Sequence, residues 1–112
     1  GHHVGDEMIV VVAKICRSEL RKADTACRFG GDEFVVALPN TEREHAVQFA
    51  QRLHQRFRVE LSQFSVGGIA VTASIGVTTM VPEDLSFKDT FKRADRALYE
   101  AKGLGKDRVV SA

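Results

Sequence analysis

Two short apolar runs, residues 25–29 and 34–38, flank the segment Gly30-Gly31-Asp32-Glu33, and this arrangement constrains the fold most. Glycines and an acidic residue between two apolar runs are typical of a tight turn. The sequence therefore predicts a β-hairpin, so at least part of the sheet is antiparallel.

Three helices are predicted around this hairpin. The first covers residues 6 to about 23, where apolar residues recur at helical spacing and Asp6 could cap the N-terminus, although the β-branched run at 9–12 favours a strand. The second runs to about residue 59 from a capping box formed by Thr41 and Glu44.

The third helix begins at a second capping box, Ser86 and Asp89, and ends at Gly103 and Gly105. Further strands are predicted at residues 69–78, which could form a hairpin with residues 64–66, and at 108–110. Tight hairpins with helices on one sheet face give an α+β domain whose central sheet is partly antiparallel and flanked by helices.

Composition narrows the function classes. The 112 residues suggest one domain, and 44% hydrophobic residues can bury a core without disulfides. A net charge of +1 gives nucleic acid binding no support. Cys16 and Cys27 lack C-x-x-C spacing and are predicted to be buried free thiols in a reducing compartment. No apolar run is long enough to cross a bilayer, so we expect no membrane contact by this segment and a cytoplasmic location, although a longer parent protein could be membrane-anchored.

Four motifs resemble, in the right order, those of the GGDEF family of diguanylate cyclases. They are G-H-x-x-G-D at residues 1–6, RFGGDEF at 28–34, SIGV at 74–77 and A-D-x-A-L-Y-x-A-K at 94–102. The resemblance runs from the first residue to the last. It implies a nucleotide-cyclase, palm-like fold with a ferredoxin-like core.

Family members begin earlier than this chain. The earlier segment would supply a metal-binding aspartate, a guanine-reading asparagine and the central first strand. By resemblance, residues 1–112 are therefore expected to form one shortened GGDEF domain with its first strand missing. We expect the parent protein to be active and this segment alone to be inactive.

The resemblance also implies the chemistry, which is the condensation of two GTP molecules into cyclic di-GMP with release of pyrophosphate. Each step needs a divalent cation, Mg²⁺ or Mn²⁺, and carboxylates are suitable ligands for such hard cations. Asp32 and Glu33 are the implied metal-binding and catalytic residues, and Gly30 and Gly31 would let the substrate approach the backbone. The alternative is a solvated hairpin turn, in which Gly and Asp are common.

Four more residues match family positions that bind substrate. Asp6 would accept hydrogen bonds from the guanine edge, unless it only caps its helix. His2 would contact substrate or be a flexible terminal residue. Lys102 and Lys106 would hold the triphosphate, or be solvated lysines favoured by a helix C-terminus. Lys106 replaces a more frequent arginine, and Asp107 adds a negative charge near the phosphates.

A second site is implied upstream of the turn. Arg21 and Asp24 resemble the family's R-x-x-D inhibitory site, where cyclic di-GMP binds as feedback inhibitor, and Arg52 matches a secondary arginine. Arginine can bind phosphate and stack on guanine. The alternative for Arg21 and Asp24 is a solvated i,i+3 ion pair, and for Arg52 an exposed helix face.

Other functions stay open at this point. The domain could be a catalytically silent module that binds cyclic di-GMP or GTP. It could instead be a structural piece that pairs with another chain through an open strand edge, an edge that also invites domain swapping. Catalysis would require a homodimer, because each protomer holds one GTP.

Overall fold

A computed structural model describes residues 2–112, with side chains from Gly5 onward. In this part of the chain three helices and six short strands occur, and four of the strands form antiparallel hairpins, in agreement with the predicted α+β class. In chain order they are α1 (His2–Glu19), β1 (Thr25–Gly30), β2 (Glu33–Ala37), α2 (Arg43–Glu60), a 3-10 turn (Leu61–Gln63), β3 (Ser65–Val66), β4 (Ile69–Ala70), β5 (Ile75–Val77), α3 (Phe87–Gly103) and β6 (Val109–Ser111).

The strands of residues 2–112 form three separate pairs. β1 and β2 pair antiparallel, which confirms the predicted hairpin, and β3 and β4 form a second, shorter hairpin. β5 and β6 pair in parallel. A parallel pair needs a long crossover connection, and helix α3 provides it.

The main core lies between α1 and α2. Its buried side chains are Ile15, Cys16, Phe49, Leu53, Phe57 and Leu61. The β-branched run at residues 9–12 is helical, because packing of an amphipathic face outweighs the weak strand preference of these residues. Val11 and Val12 pack against the core, whereas Val10 is exposed.

Strand β5 lies directly against helix α3 at Gly76. A Cβ at this position would lie 2.3 Å from the Ala94 carbonyl oxygen and 2.4 Å from the Leu98 nitrogen. Both partners are backbone atoms, so they cannot move aside as a flexible side chain would. Gly76 is therefore required for this close packing, which explains the glycine of the SIGV motif.

Several local predictions are wrong. Helix α1 begins at His2, so Asp6 is not its N-cap, and α1 ends at Glu19 rather than near residue 23. Helix α2 begins after Glu42 with no side-chain cap, so the Thr41 and Glu44 capping box does not form.

Ser86 is the N-cap of α3 by position, but its side chain makes no capping bond, and Asp89 instead accepts from the Leu85 N–H at 2.8 Å. The predicted strand at 69–78 is interrupted after Ala70, because β4 pairs with β3 whereas β5 pairs with β6.

Cys16 is a buried free thiol, as predicted, but Cys27 is exposed. Successive side chains of a strand point to opposite faces, and on β1 the half-buried neighbour is Ala26. None of the helices formed by the described residues combines the length and apolar character that a bilayer crossing requires.

Candidate functional site

The β1–β2 turn is narrow and exposed. Gly30 pairs with Glu33, so Gly31 and Asp32 form a two-residue turn. The Arg28 Nε donates to the Gly31 carbonyl oxygen at 2.9 Å, which ties the turn to its own strand. The side chains of Asp32 and Glu33 are both exposed.

A bulge next to the turn connects the hairpin to helix α3. The register slips between Arg28 and Gly30, which leaves Phe29 without a partner on β2. The Phe29 ring lies 5.0 Å from the Phe91 ring, and Phe91 lies 6.1 Å from Phe87, measured between centroids. These aromatic contacts connect the strand before the turn to the first turns of α3, whereas Lys102 lies near the other end of that helix.

The fold itself does not require the two glycines of the turn. Neither Gly30 nor Gly31 has a positive φ, and an added Cβ at either would meet no atom within 4 Å. In the β3–β4 hairpin, by contrast, Gly67 and Gly68 have φ values of 59° and 80°, which favour glycine. The turn at Gly30 therefore presents bare backbone that a ligand can approach.

Asp32 and Glu33 suit a magnesium ion. Mg²⁺ is usually held by one or two carboxylates together with substrate phosphates and water, and not by a cage of protein ligands. Two adjacent exposed carboxylates on a turn match that requirement. Among the described residues, no group of three or more His, Cys, Asp or Glu side chains could hold a metal.

The end of helix α3 fixes the backbone around Lys106. The Lys106 N–H donates to the Ala101 carbonyl at 3.0 Å and the Gly105 N–H to the Lys102 carbonyl at 3.3 Å. This is the Schellman arrangement, with Gly105 at the left-handed position. Lys102 and Lys106 are exposed at this end of the helix.

Lys106 and Asp107 also have left-handed backbones, with φ values of 64° and 49°. Such values cost energy in residues other than glycine and persist where neighbours impose them. Two side chains of helix α2 hold the Asp107 carboxylate in place. His54 Nε2 lies 2.8 Å from Asp107 Oδ1, and Arg58 Nε lies 3.6 Å from Asp107 Oδ2. Its negative charge, expected near the phosphates, is thus paired with α2.

Asp6 lies on the exposed side of helix α1. It borders a shallow depression that also includes Val10, Val11 and Phe64. This depression shares no residue with the cavity lined by Arg21. The side chain of His2 lies outside the described residues.

The three residues of the predicted inhibitory site line one cavity of about 220 Å³. Arg21 and Asp24 come from the loop after α1, and Arg52 comes from α2. The other lining residues are Glu19, Leu38, Thr41, His45, Gln48 and Phe49. The cavity is smaller than a typical drug-sized pocket, so it suits part of a nucleotide, such as a base or a phosphate.

Arg21 is the most extensively bonded residue of this cavity. Its Nε donates to Asp24 Oδ2 at 3.1 Å and its Nη2 to Asp24 Oδ1 at 3.0 Å. The Asp24 side chain is only 1% exposed, whereas that of Arg21 is 60% exposed. Hydrogen bonding to Arg21 holds the pKa of the Asp24 carboxyl below its usual value, so the pair is charged at neutral pH.

The motifs did not indicate Thr41, His45 or Gln48. The signal was in helix α2, where His45, Gln48, Phe49 and Arg52 recur at i, i+3, i+4 and i+7 and so share one face. Arg52 lies 5.5 Å from the centre of the Phe49 ring, a cation–π distance that holds it at the cavity.

Comparison with known proteins shows which family the chain is similar to. The family model described as "Diguanylate cyclase, GGDEF domain" matches residues 1–108. Diguanylate cyclase A of Treponema denticola is 42% identical over 109 residues, and diguanylate cyclase DgcP of Pseudomonas aeruginosa is 38% identical over 109 residues. Each alignment covers 97% of this chain, which spans only 29% and 16% of those proteins.

Solved structures show the same fold. The active GGEEF domain of a diguanylate cyclase from Vibrio cholerae superposes with a TM-score of 0.88 at 32% identity, covering 99% of this chain and 70% of that one. The GGDEF domain of DgcB from Caulobacter crescentus, solved in complex with c-di-GMP, gives 0.83 at 29% identity, covering 99% and 66%. The α+β architecture is that of the cyclase fold, and the chain belongs to the GGDEF domain family of diguanylate cyclases.

Proposed function

We propose that the protein carrying this domain condenses two GTP molecules into cyclic di-GMP and releases pyrophosphate. The observation that supports this most is the β1–β2 turn. It combines two glycines that the fold does not need with two exposed carboxylates beside them. The packing of the domain leaves both glycines unexplained, whereas a ligand that approaches the backbone would explain them.

Each residue of the turn has a role in this proposal. Gly30 and Gly31 leave the backbone open to the phosphates of GTP. Asp32 and Glu33 would hold Mg²⁺ or Mn²⁺, and either carboxylate could accept the proton of the attacking 3′-hydroxyl. When bound, the metal supplies activation of the hydroxyl and neutralises charge at the α-phosphate.

The remaining substrate contacts come from the helices. Lys102 and Lys106 at the end of α3 would bind the triphosphate as point charges. Asp6 on α1 would accept hydrogen bonds from the guanine edge, which favours guanine over adenine. His2 is proposed as a further substrate contact.

Two GTP-bearing sites must face each other for the reaction, so the active form is proposed to be a homodimer. Each protomer would present the 3′-hydroxyl of its bound GTP to the α-phosphate of the GTP on the other protomer, from which pyrophosphate leaves. Free thiols at Cys16 and Cys27 favour a reducing compartment, and we propose the cytoplasm.

The test of the activity is product formation by the protein that carries this domain. Incubation with GTP and Mg²⁺ is expected to yield cyclic di-GMP and pyrophosphate, detected by chromatography. ATP in place of GTP, or EDTA in place of Mg²⁺, is expected to give none. Absence of cyclic di-GMP from the dimeric protein would refute the proposal.

We also propose that cyclic di-GMP binds the cavity at Arg21, Asp24 and Arg52 as a feedback inhibitor. Two observations support this: one cavity includes all three residues, and both arginines are at its surface. Guanidinium groups can pair with phosphate and stack on guanine.

Calorimetric titration of the chain with cyclic di-GMP tests this site. Binding is expected for the wild type and is expected to be lost in Arg21→Ala. Lys22→Ala removes a neighbouring exposed positive charge and is the matched control, for which unchanged binding is expected. Equal affinity of the wild type and Arg21→Ala would exclude the assignment.

A further inference from the structure

Thr41 is bonded to Arg21 and not to helix α2. Its Oγ1 accepts a hydrogen bond from Arg21 Nη2 at 2.6 Å and donates its proton to the Pro39 carbonyl oxygen at 3.0 Å. Because the hydroxyl donates its hydrogen bond to the Pro39 carbonyl oxygen, only the lone pairs of Oγ1 remain for Arg21. The hydroxyl is thus oriented as an acceptor for the guanidinium.

The guanidinium of Arg21 is held along one edge. Its Nε and Nη2 donate to Asp24, and Nη2 also donates to Thr41 and, at 3.2 Å, to the Pro39 carbonyl. Within residues 2–112, Nη1 makes no hydrogen bond to the protein. One edge is therefore fixed to the protein, while Nη1 and the planar face are available to a ligand.

We propose that Thr41 is a positioning residue of the cyclic di-GMP cavity, which holds the Arg21 guanidinium so that its Nη1 side can bind a phosphate of the ligand. This inference rests on the proposed inhibitory site. Asp24 fixes Arg21 from the α1 side, and Thr41 with Pro39 fixes it from the α2 side. Without the hydroxyl, the guanidinium keeps its bonds to Asp24 and Pro39 but loses one anchor, so its orientation is less restricted and part of the ordering cost falls on ligand binding.

Calorimetric titration with cyclic di-GMP tests the role of Thr41. Thr41→Val keeps the shape of the side chain and removes the acceptor, and its affinity is expected to fall roughly three- to tenfold, the effect of losing one hydrogen bond. Thr41→Ser restores the hydroxyl, and an affinity within roughly twofold of the wild type is expected. Thr72→Val, at an exposed threonine outside the cavity, is the control and should bind as the wild type does.

The outcomes separate the two proposals. No binding by the wild type would overturn the inhibitory site and this inference with it. Binding that is lost in Arg21→Ala but unchanged or tighter in Thr41→Val would overturn only the role of Thr41.

A second measurement does not depend on the ligand. In NMR spectra of the free chain, the Arg21 Nε–H signal is expected to shift and broaden in Thr41→Val and to return in Thr41→Ser. An unchanged signal in Thr41→Val would contradict the proposal, whatever the affinity.

Discussion

Gly76 and Gly31 belong to two motifs of the family but have opposite surroundings. At Gly76 the backbone of α3 occupies the space that a Cβ would need, whereas at Gly31 that space is open. The first glycine is explained by packing within the domain. Packing does not explain the second glycine, and a ligand that approaches the turn from solvent, as proposed above, would explain it.

This contrast predicts different effects of the same substitution. Gly76→Ala forces β5 away from α3. It is expected to lower the free energy of unfolding by about 1–3 kcal/mol, the typical cost of overpacking. Gly31→Ala is expected to change it by less than about 0.5 kcal/mol, because the added methyl contacts nothing.

Urea unfolding of both variants measures these effects, and cyclic di-GMP synthesis by the protein that carries this domain is the second readout. Gly31→Ala should retain stability and lose activity. A Gly31→Ala protein that unfolds as easily as Gly76→Ala would show that the turn glycine is structural.

Thr41 illustrates which residues the sequence could not assign. Thr41 and Glu44 have the spacing of a capping box, and that pattern is local. The hydroxyl instead bonds to Arg21, twenty positions away, because the loop after α1 lies next to the loop before α2. A long-range contact outweighs a local preference here, and spacing carries no information about it.

At the scale of the elements, the Asp84 carboxylate links the loop between β5 and α3 to helix α3 through hydrogen bonds. Asp84 accepts from Arg93 Nη1 at 2.9 Å, from Thr90 Oγ1 at 2.7 Å and from the Val81 N–H at 3.0 Å. These bonds, above all those from Arg93, hold the pKa of Asp84 far below its usual value. The loop is thereby attached to the first turns of α3.

This pKa shift predicts how stability depends on pH. A carboxyl whose pKa is lower in the folded state stabilises the protein above the unfolded pKa of 3.8 and loses that effect as the pH falls toward the folded value. The difference in unfolding free energy between wild type and Asp84→Asn is therefore expected to be constant at neutral pH and to shrink progressively below about pH 3.8.

Urea unfolding of the two proteins between pH 7 and pH 2 measures the difference. Asp84→Asn keeps the size of the side chain, so the general effects of acid are shared by both proteins. A difference that stays constant down to pH 2 would show that the ionised carboxylate contributes nothing.

The bond between His54 and Asp107 makes a further prediction, for the segment after α3. His54→Leu removes the bond from α2, and faster hydrogen exchange is expected at the amides of residues 106–108. Arg43→Ala removes another bond from α2 to the end of the chain, to Ser111 at 3.2 Å, and should leave those amides unchanged. Equal exchange in His54→Leu and wild type would contradict this role.

The presence of the helices was predictable because their apolar faces extend over several turns. The residues at which the helices end were harder to predict. Helix α1 ends at Glu19 and not near residue 23, since Arg21 and Asp24 bond to each other there. The run at 69–78 reads as one strand, but it divides between two partners. Strand preference reports that a segment is extended and gives no information on its partner.

For the whole molecule, the motifs were sufficient to identify the family, whereas the arrangement of the site required coordinates. Residues 21 and 24 are predicted from one motif and residue 52 from a separate position, and the fold brings all three to one cavity. The turn and the end of α3 lie on elements joined through the contact between Phe29 and Phe91. No periodicity in the sequence indicates that contact, because Phe29 is at a bulge.

The proposed homodimer predicts a dependence on protein concentration. If two GTP-bearing protomers must meet, the specific activity should rise with concentration until the dimer is saturated. Initial rates measured over a dilution series, with the association state followed by analytical ultracentrifugation, test this. Full specific activity in samples that are monomeric would rule out the two-protomer mechanism.

The most direct test of the central claim is the rate of cyclic di-GMP synthesis from GTP and Mg²⁺ by the protein that carries this domain, as wild type and as Asp32→Asn, which removes one carboxylate from the turn. The expected rate of the variant is lower by at least about a hundredfold, since a charge that is proposed to hold the metal would be lost. Its stability and its affinity for cyclic di-GMP at the Arg21 cavity should equal those of the wild type. Synthesis by Asp32→Asn at the wild-type rate would contradict the assignment of the chemistry to the β1–β2 turn.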